Sequence, residues 1–199
     1  MEGSYFYFFA WVSWTIATFL MKKGKMRLLI ASLSLLLVIS SQTAISIGPF
    51  HVYISSFLLM GIGFIGIASY SKWKKVHAII SSMIVAMMYT IFHLIELYDP
   101  IWIVVNRVWM LSGLLIYVTL LLIREPWLRL YVLSIGGVQG EIFLAAVLRK
   151  YEFHNAIGPG AFLDVIACTV VLLCIVHLLF KGFMYIEPLK RKHVKERQG

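Results

Sequence analysis

A polytopic bundle of transmembrane helices, all-α and with about seven spans, is the fold class that this 199-residue sequence predicts, and three observations predict it. Hydrophobic residues make up 61% of the chain and charged residues 14%, with a mean hydropathy of +0.88, far from the mix of a soluble globular domain. A spanning helix needs roughly 20 apolar residues, and seven apolar runs of about that length succeed one another between charges, Pro or Gly. Basic residues gather at every second break between those runs, the pattern of a chain that crosses a bilayer repeatedly.

The runs lie at approximately 4–21, 28–47, 50–70, 76–97, 101–123, 130–148 and 161–180. The first follows MEGS, which has no basic n-region, and no small-residue cleavage site precedes the basic cluster at 22–27; it is expected to remain as a helix. The second ends at GPFH, 48–51, and the third at Lys72, Lys74 and Lys75. The fourth ends at YDP, 98–100, and the fifth at Arg124 and Arg129. The sixth gives way to a longer break at 149–160, and the seventh to the basic tail KGFMYIEPLKRKHVKERQG. Residues 1–180 thus form the transmembrane domain and 181–199 a basic cytoplasmic tail.

Orientation follows from the same charges. Lys22, Lys23, Lys25 and Arg27, the three lysines at 72–75, Arg124 and Arg129, and the six basic residues of the tail account for fifteen of the 18 Lys and Arg. The intervening breaks carry only Arg149 and Lys150. Lys and Arg stay on the cytoplasmic side, so the N-terminus is expected outside and the C-terminus inside. The net charge of +9 is therefore first a topology signal. The tail can also attract anionic headgroups, whereas basic residues spread over four segments do not make a nucleic-acid surface. Tyr5, Trp11, Trp14, Trp73, Trp102, Trp109 and Trp127 suit membrane-interface belts.

GIGFIG, 61–66, matches G-x-G-x-x-G letter for letter, but that motif works only between a strand and a helix N-terminus facing pyrophosphate. Within an apolar span, Gly61, Gly63 and Gly66 are read as helix-packing positions, as are Gly136, Gly137 and Gly140 of GGVQG. Cys168 and Cys174 stand about 240° apart around a helix, so neither a local disulfide nor a metal pair is expected. Ser40, Ser41, Gln42 and Thr43 form a polar patch in the second run. His77 and His177 fall towards the inner helix ends, His51 and His154 in outer breaks.

The candidate site lies among ionisable groups at membrane depth, where each costs about 2.5–3.5 kcal/mol unless it faces protein or water. Arg107, counted from Pro100, falls roughly 10 Å inside the outer boundary, and Glu141 reaches a similar depth on the sixth helix. His93 and Glu96 share a face of the fourth helix at i,i+3, and Asp164 enters the seventh from outside. The assigned topology brings all five to the outer half, and matching depths make Glu141 the expected partner of Arg107. A structural ion-pair network, a ligand or conduction pocket, and a catalytic site are the three readings. No H-E-x-x-H or G-x-S-x-G motif supports the third, so no catalytic residue, metal or cofactor is assigned. The seventh helix has no lysine for a retinal Schiff base.

The opening MEGSYFYFFAWVSWTIATFLMKKGK, the length and the later EIFLAAVLRKYEF resemble the YphA-type small membrane proteins of Bacillus and related spore-forming bacteria over nearly the whole chain. The resemblance carries no assigned activity or site residues. It implies a Gram-positive cytoplasmic membrane, with a role in the envelope or in spore formation. The expected function is therefore non-enzymatic envelope maintenance or assembly, with the lipid bilayer and other membrane or envelope proteins as partners. A small-solute or proton-coupled transporter is the alternative, and a membrane-embedded enzyme the third reading.

Overall fold

The computed structural model describes residues 2–48, 50–99, 101, 106–151 and 156–196, with side chains as far as Gly182. The expected roles of Trp102 and His154, and of the basic side chains from Lys190 onwards, fall outside the described residues. The described residues are mostly helical. The described elements are α1 (Ser4–Thr15, whose last turn widens into a π-helical turn over Ile16–Leu20), α2 (Lys25–Ser40), a hairpin of β1 (Ala44–Ile47) and β2 (Phe50–Tyr53), α3 (Ile54–Ala68), α4 (Lys72–Tyr98), α5 (Arg107–Leu122), α6 (Pro126–Arg149) and α7 (Gly160–Glu196).

Three helices, Lys72–Tyr98, Pro126–Arg149 and the Gly160–Gly182 part of α7, are long and apolar enough to cross a membrane. Ile54–Ala68 and Arg107–Leu122 are apolar but shorter. At 1.5 Å per residue such helices fall somewhat short of a hydrocarbon core of about 30 Å. The backbone of α7 continues without a break to Glu196, so the expected tail extends the last helix.

The second and third runs depart from expectation. Helix α2 stops at Ser40, and the chain then turns into an antiparallel hairpin in which Ala44 faces Tyr53 and Ile47 faces Phe50. The fold is therefore all-α apart from one hairpin. Short runs with alternating β-branched residues, such as Ile45 and Ile47, suit strands as well as helices. Gly48 opens the connection at φ 59°, a left-handed conformation that glycine adopts without a steric penalty. The polar patch serves this helix end: Ser40 and Ser41 donate to the carbonyls of Leu37 and Val38, and Thr43 to that of Ser40. Tyr7 on α1 shares a hydrogen bond with Ser41 at 3.0 Å.

The core is organised by α6, which packs against α4 and α3, while α1 and α5 pack on α7. Helices α4 and α6 run parallel in a constant register. Lys74 pairs with Glu125 at one end, and fifteen residues further along both helices Tyr89 lies against Gly140. Small residues allow the approach. A Cβ on Gly136 would lie 2.7 Å from the Ser82 carbonyl oxygen, one on Gly140 2.8 Å from the Tyr89 ring, and one on Gly63 2.5 Å from Ile135. Gly66 abuts the Tyr131 ring, and Gly137 receives Ile166 and Phe162. Gly61 differs, since no described residue lies within 4 Å of where its Cβ would be. It is offset from Gly63 and Gly66 around the helix, so it does not share their contact with α6.

The bundle has two unlike ends. The hairpin, the start of α1, the end of α6 and the start of α7 meet at one: the Ile157 carbonyl accepts from the Tyr53 N–H, and the Ile157 N–H donates to the His51 carbonyl. At the other, the basic turns link α3 to α4 and α5 to α6. There Pro126 occupies the first turn of α6, where its missing N–H costs nothing. The Arg129 guanidinium donates to the Ile123 carbonyl at 2.7 Å, closing the C-terminus of α5.

Candidate functional site

The hairpin end gathers all five ionisable residues singled out in the sequence, in three separate arrangements. The first is built on Asp164. Helix α1 begins without a capping side chain of its own; the Asp164 carboxylate on α7 supplies one, accepting the N–H groups of Gly3 and Phe6, each at 2.7 Å. These donors have no partner within α1, and a carboxylate beside them also meets the positive end of the helix dipole. Asp164 is buried. Its charge is thereby committed to holding α1 against α7.

The second arrangement is built on Glu141. This buried carboxylate accepts the Tyr89 hydroxyl from α4 through Oε1, and the Gly158 N–H through Oε2 at 3.2 Å. Gly158 has φ 79°, and any side chain there would collide with the Ser56 hydroxyl, so glycine is required twice over. One residue before Glu141, the Gly140 carbonyl accepts the Thr90 hydroxyl across the helix pair at 3.1 Å. Helices α4 and α6 and the turn before α7 are thus joined at a single carboxylate.

The third arrangement contains Glu96. His93 Nδ1 lies 3.0 Å from Glu96 Oε2, and the Arg107 guanidinium 3.4 Å from Glu96 Oε1. The His93 ring packs edge-on against Tyr89 with centroids 4.6 Å apart, which connects this group to Glu141. The expected pairing of Arg107 with Glu141 is thus corrected: among the described residues the ion-pair partner of Arg107 is Glu96. The reason is the start of α5. Asn106 caps that helix, accepting the Val108 N–H at 3.0 Å, so Arg107 stands at the helix N-terminus with its side chain about half exposed (48%).

Tyr89, Gly158 and the backbone donors of Gly3 and Phe6 escaped the sequence reading. Tyr89 had a signal, since Tyr89, His93 and Glu96 follow one another at i, i+4, i+7 on one stripe. Backbone donors leave none. Among the described residues no three of His, Cys, Asp and Glu gather as a metal-binding set. Two surface grooves of about 300 and 370 Å³ lie at the basic turns, away from these side chains. Four buried polar atoms, Ser55 Oγ, Ser56 Oγ, His93 Nε2 and Gln139 Oε1, have no hydrogen-bond partner among the described residues. Cys168 is buried and Cys174 exposed, and both are free thiols.

Apolar helices of spanning length, joined at one end by internally satisfied carboxylates, define an integral membrane protein. The chain belongs to the family described as YphA-like integral membrane protein, whose model matches residues 2–199. It is 25% identical, over 87% of its length and 86% of the relative's, to the uncharacterized protein YphA of Bacillus subtilis (strain 168). No solved structure matches.

Proposed function

We propose that the protein is a non-enzymatic, seven-span protein of a Gram-positive cytoplasmic membrane that serves in envelope maintenance or assembly through contacts with lipid and with other membrane proteins. The N-terminus faces outside and the C-terminus the cytoplasm, an orientation supported by the bias of Lys and Arg to alternate turns. A link to spore formation rests on the family resemblance alone.

The observation that supports a structural over a catalytic or transporting role is the occupancy of the carboxylates. Asp164, Glu141 and Glu96 each have two protein partners: two N–H groups at the start of α1 for Asp164, Tyr89 and the Gly158 N–H for Glu141, and His93 and Arg107 for Glu96. A general base or a solute-coupling carboxylate needs a face open to its proton or ligand. The transport alternative draws on one specific feature, the buried Nε2 of His93, which has no partner among the described residues and lies beside Tyr89 and Glu96.

Complementation separates the two. In a strain lacking the gene, His93→Asn, Glu96→Gln and Glu141→Gln are expressed at matched membrane levels and scored for resistance to cell-wall antibiotics and osmotic downshift. The structural role is supported if each variant that accumulates normally restores resistance. Failure of all three at wild-type abundance would overturn the structural role and favour the transport reading.

A further inference from the structure

We infer that the groove between the first turn of α4 and the α5–α6 turn binds the headgroup of an anionic phospholipid. The groove has a volume of about 370 Å³ and lies at the end of the molecule opposite the hairpin network. One wall is Trp73, Lys74 and His77 on α4, the other Arg124 and Glu125 from the turn, and Ile123 and Leu128 form an apolar floor.

Its charge fits a phosphodiester. Lys74 is tied across the groove to Glu125, which fixes the two walls relative to each other. Glu125 is the sole acidic residue of the two turns that meet here, against Lys72, Lys74, Lys75, Arg124 and Arg129. Arg124 is exposed at the lip, so its guanidinium can turn to a phosphate in a bidentate arrangement. Helices α4 and α6 both begin at this site, and their unpaired first-turn N–H groups add to the positive potential.

The surroundings select a lipid over a free anion. Trp73 is 86% exposed at the rim, and Trp127 is also exposed, in positions suited to the headgroup level. Val76 and Ile80 on α4 and Leu121 on α5 continue the exposed surface as an apolar strip from the groove along the bundle, where acyl chains can lie. The other groove, about 300 Å³ beside Lys23 and Arg27, is formed by one helix–helix connection alone and has no such second wall.

Purified full-length protein in neutral detergent is titrated with phosphatidylglycerol, phosphatidylcholine or inorganic phosphate, and melting temperature and retained lipid in native mass spectra are read. Phosphatidylglycerol is expected to raise the melting temperature and to remain bound, phosphatidylcholine to do so weakly, and phosphate not at all. Arg124→Gln should weaken the apparent affinity for phosphatidylglycerol about fivefold, while Lys22→Gln, the same charge change in the other basic turn, should shift it less than about twofold. Trp73→Ala, at an exposed rim position, should also reduce retained lipid and carries the test if Arg124→Gln fails to accumulate. Equal losses from Arg124→Gln and Lys22→Gln, an equal response to phosphatidylcholine, or an equal response to inorganic phosphate would overturn the assignment, as would wild-type retention by Trp73→Ala.

Discussion

The N–H of Phe6 and the carboxylate of Asp164 are 2.7 Å apart, although 158 residues separate them in the chain. The contact closes the bundle: the first helix takes its N-terminal cap from the last. Because Asp164 is buried and accepts Gly3 as well, the expectation for its removal is larger than for a solvent-exposed cap. Asp164→Ala should lower stability by about 1–3 kcal/mol, and Asp164→Asn by less, since one oxygen remains to accept. Thermal melts in detergent measure both, and an unchanged midpoint for Asp164→Ala contradicts the capping role.

Tyr89→Phe removes a hydroxyl and leaves Glu141 with the Gly158 N–H as its remaining described donor. A buried carboxylate losing a donor should cost about 1–3 kcal/mol. In combination with Glu141→Leu the cost should fall short of the sum of the single variants, because no stranded acceptor is left. Strict additivity in the melts would mean that the two side chains do not act together.

Arg107 offers a sharper choice between partners. The cycle of Arg107→Ala with Glu96→Ala should show coupling of up to about 1 kcal/mol, modest because the guanidinium is half exposed. The cycle with Glu141→Ala should show less. The reverse ranking would restore the pairing inferred from depth.

Two glycine substitutions test the packing of α3, α4 and α6. Gly136→Ala would press a methyl group onto the Ser82 carbonyl, a backbone atom that cannot swing aside, and should cost about 1–3 kcal/mol. Gly61→Ala meets open space and should be neutral or stabilising by up to about 1 kcal/mol, the gain in helix propensity. Equal effects would contradict the assigned contact face.

Long elements were legible because a single physical signal, apolar length bounded by charge, specifies them. The runs at 76–97 and 130–148 correspond to α4, Lys72–Tyr98, and α6, Pro126–Arg149, within a few residues. The hairpin was not, since Ala44–Ile47 and Phe50–Tyr53 are too short for periodicity to separate strand from helix, although Gly48-Pro49 punctuates them. The meeting of His93, Glu96, Arg107, Glu141 and Asp164 at one end could be anticipated from alternating topology, but not who pairs with whom. Asn106 immediately before Arg107 was the overlooked cue, because an Asn at that position starts a helix and so resets the depth of everything after it. The cap on α1 and the Gly158 donor to Glu141 depend on backbone N–H groups, which every residue but proline carries and no motif marks.

If the polar network is a closed helix junction on the outer side of the membrane, as proposed, a membrane-impermeant reagent cannot reach Ser56 in the folded protein. Ser56 is buried against Gly158 beside Glu141, whereas Tyr98, at the end of α4, is 92% exposed. In a Cys168→Ala, Cys174→Ala background, Ser56→Cys and Tyr98→Cys are treated on intact cells with a membrane-impermeant maleimide. Rapid labelling is expected at position 98, and none at position 56 until the protein is denatured. Labelling of both at comparable rates would show a water-filled opening at the network, and labelling of neither would place the hairpin end inside the cell; either result contradicts a closed junction on the outer side.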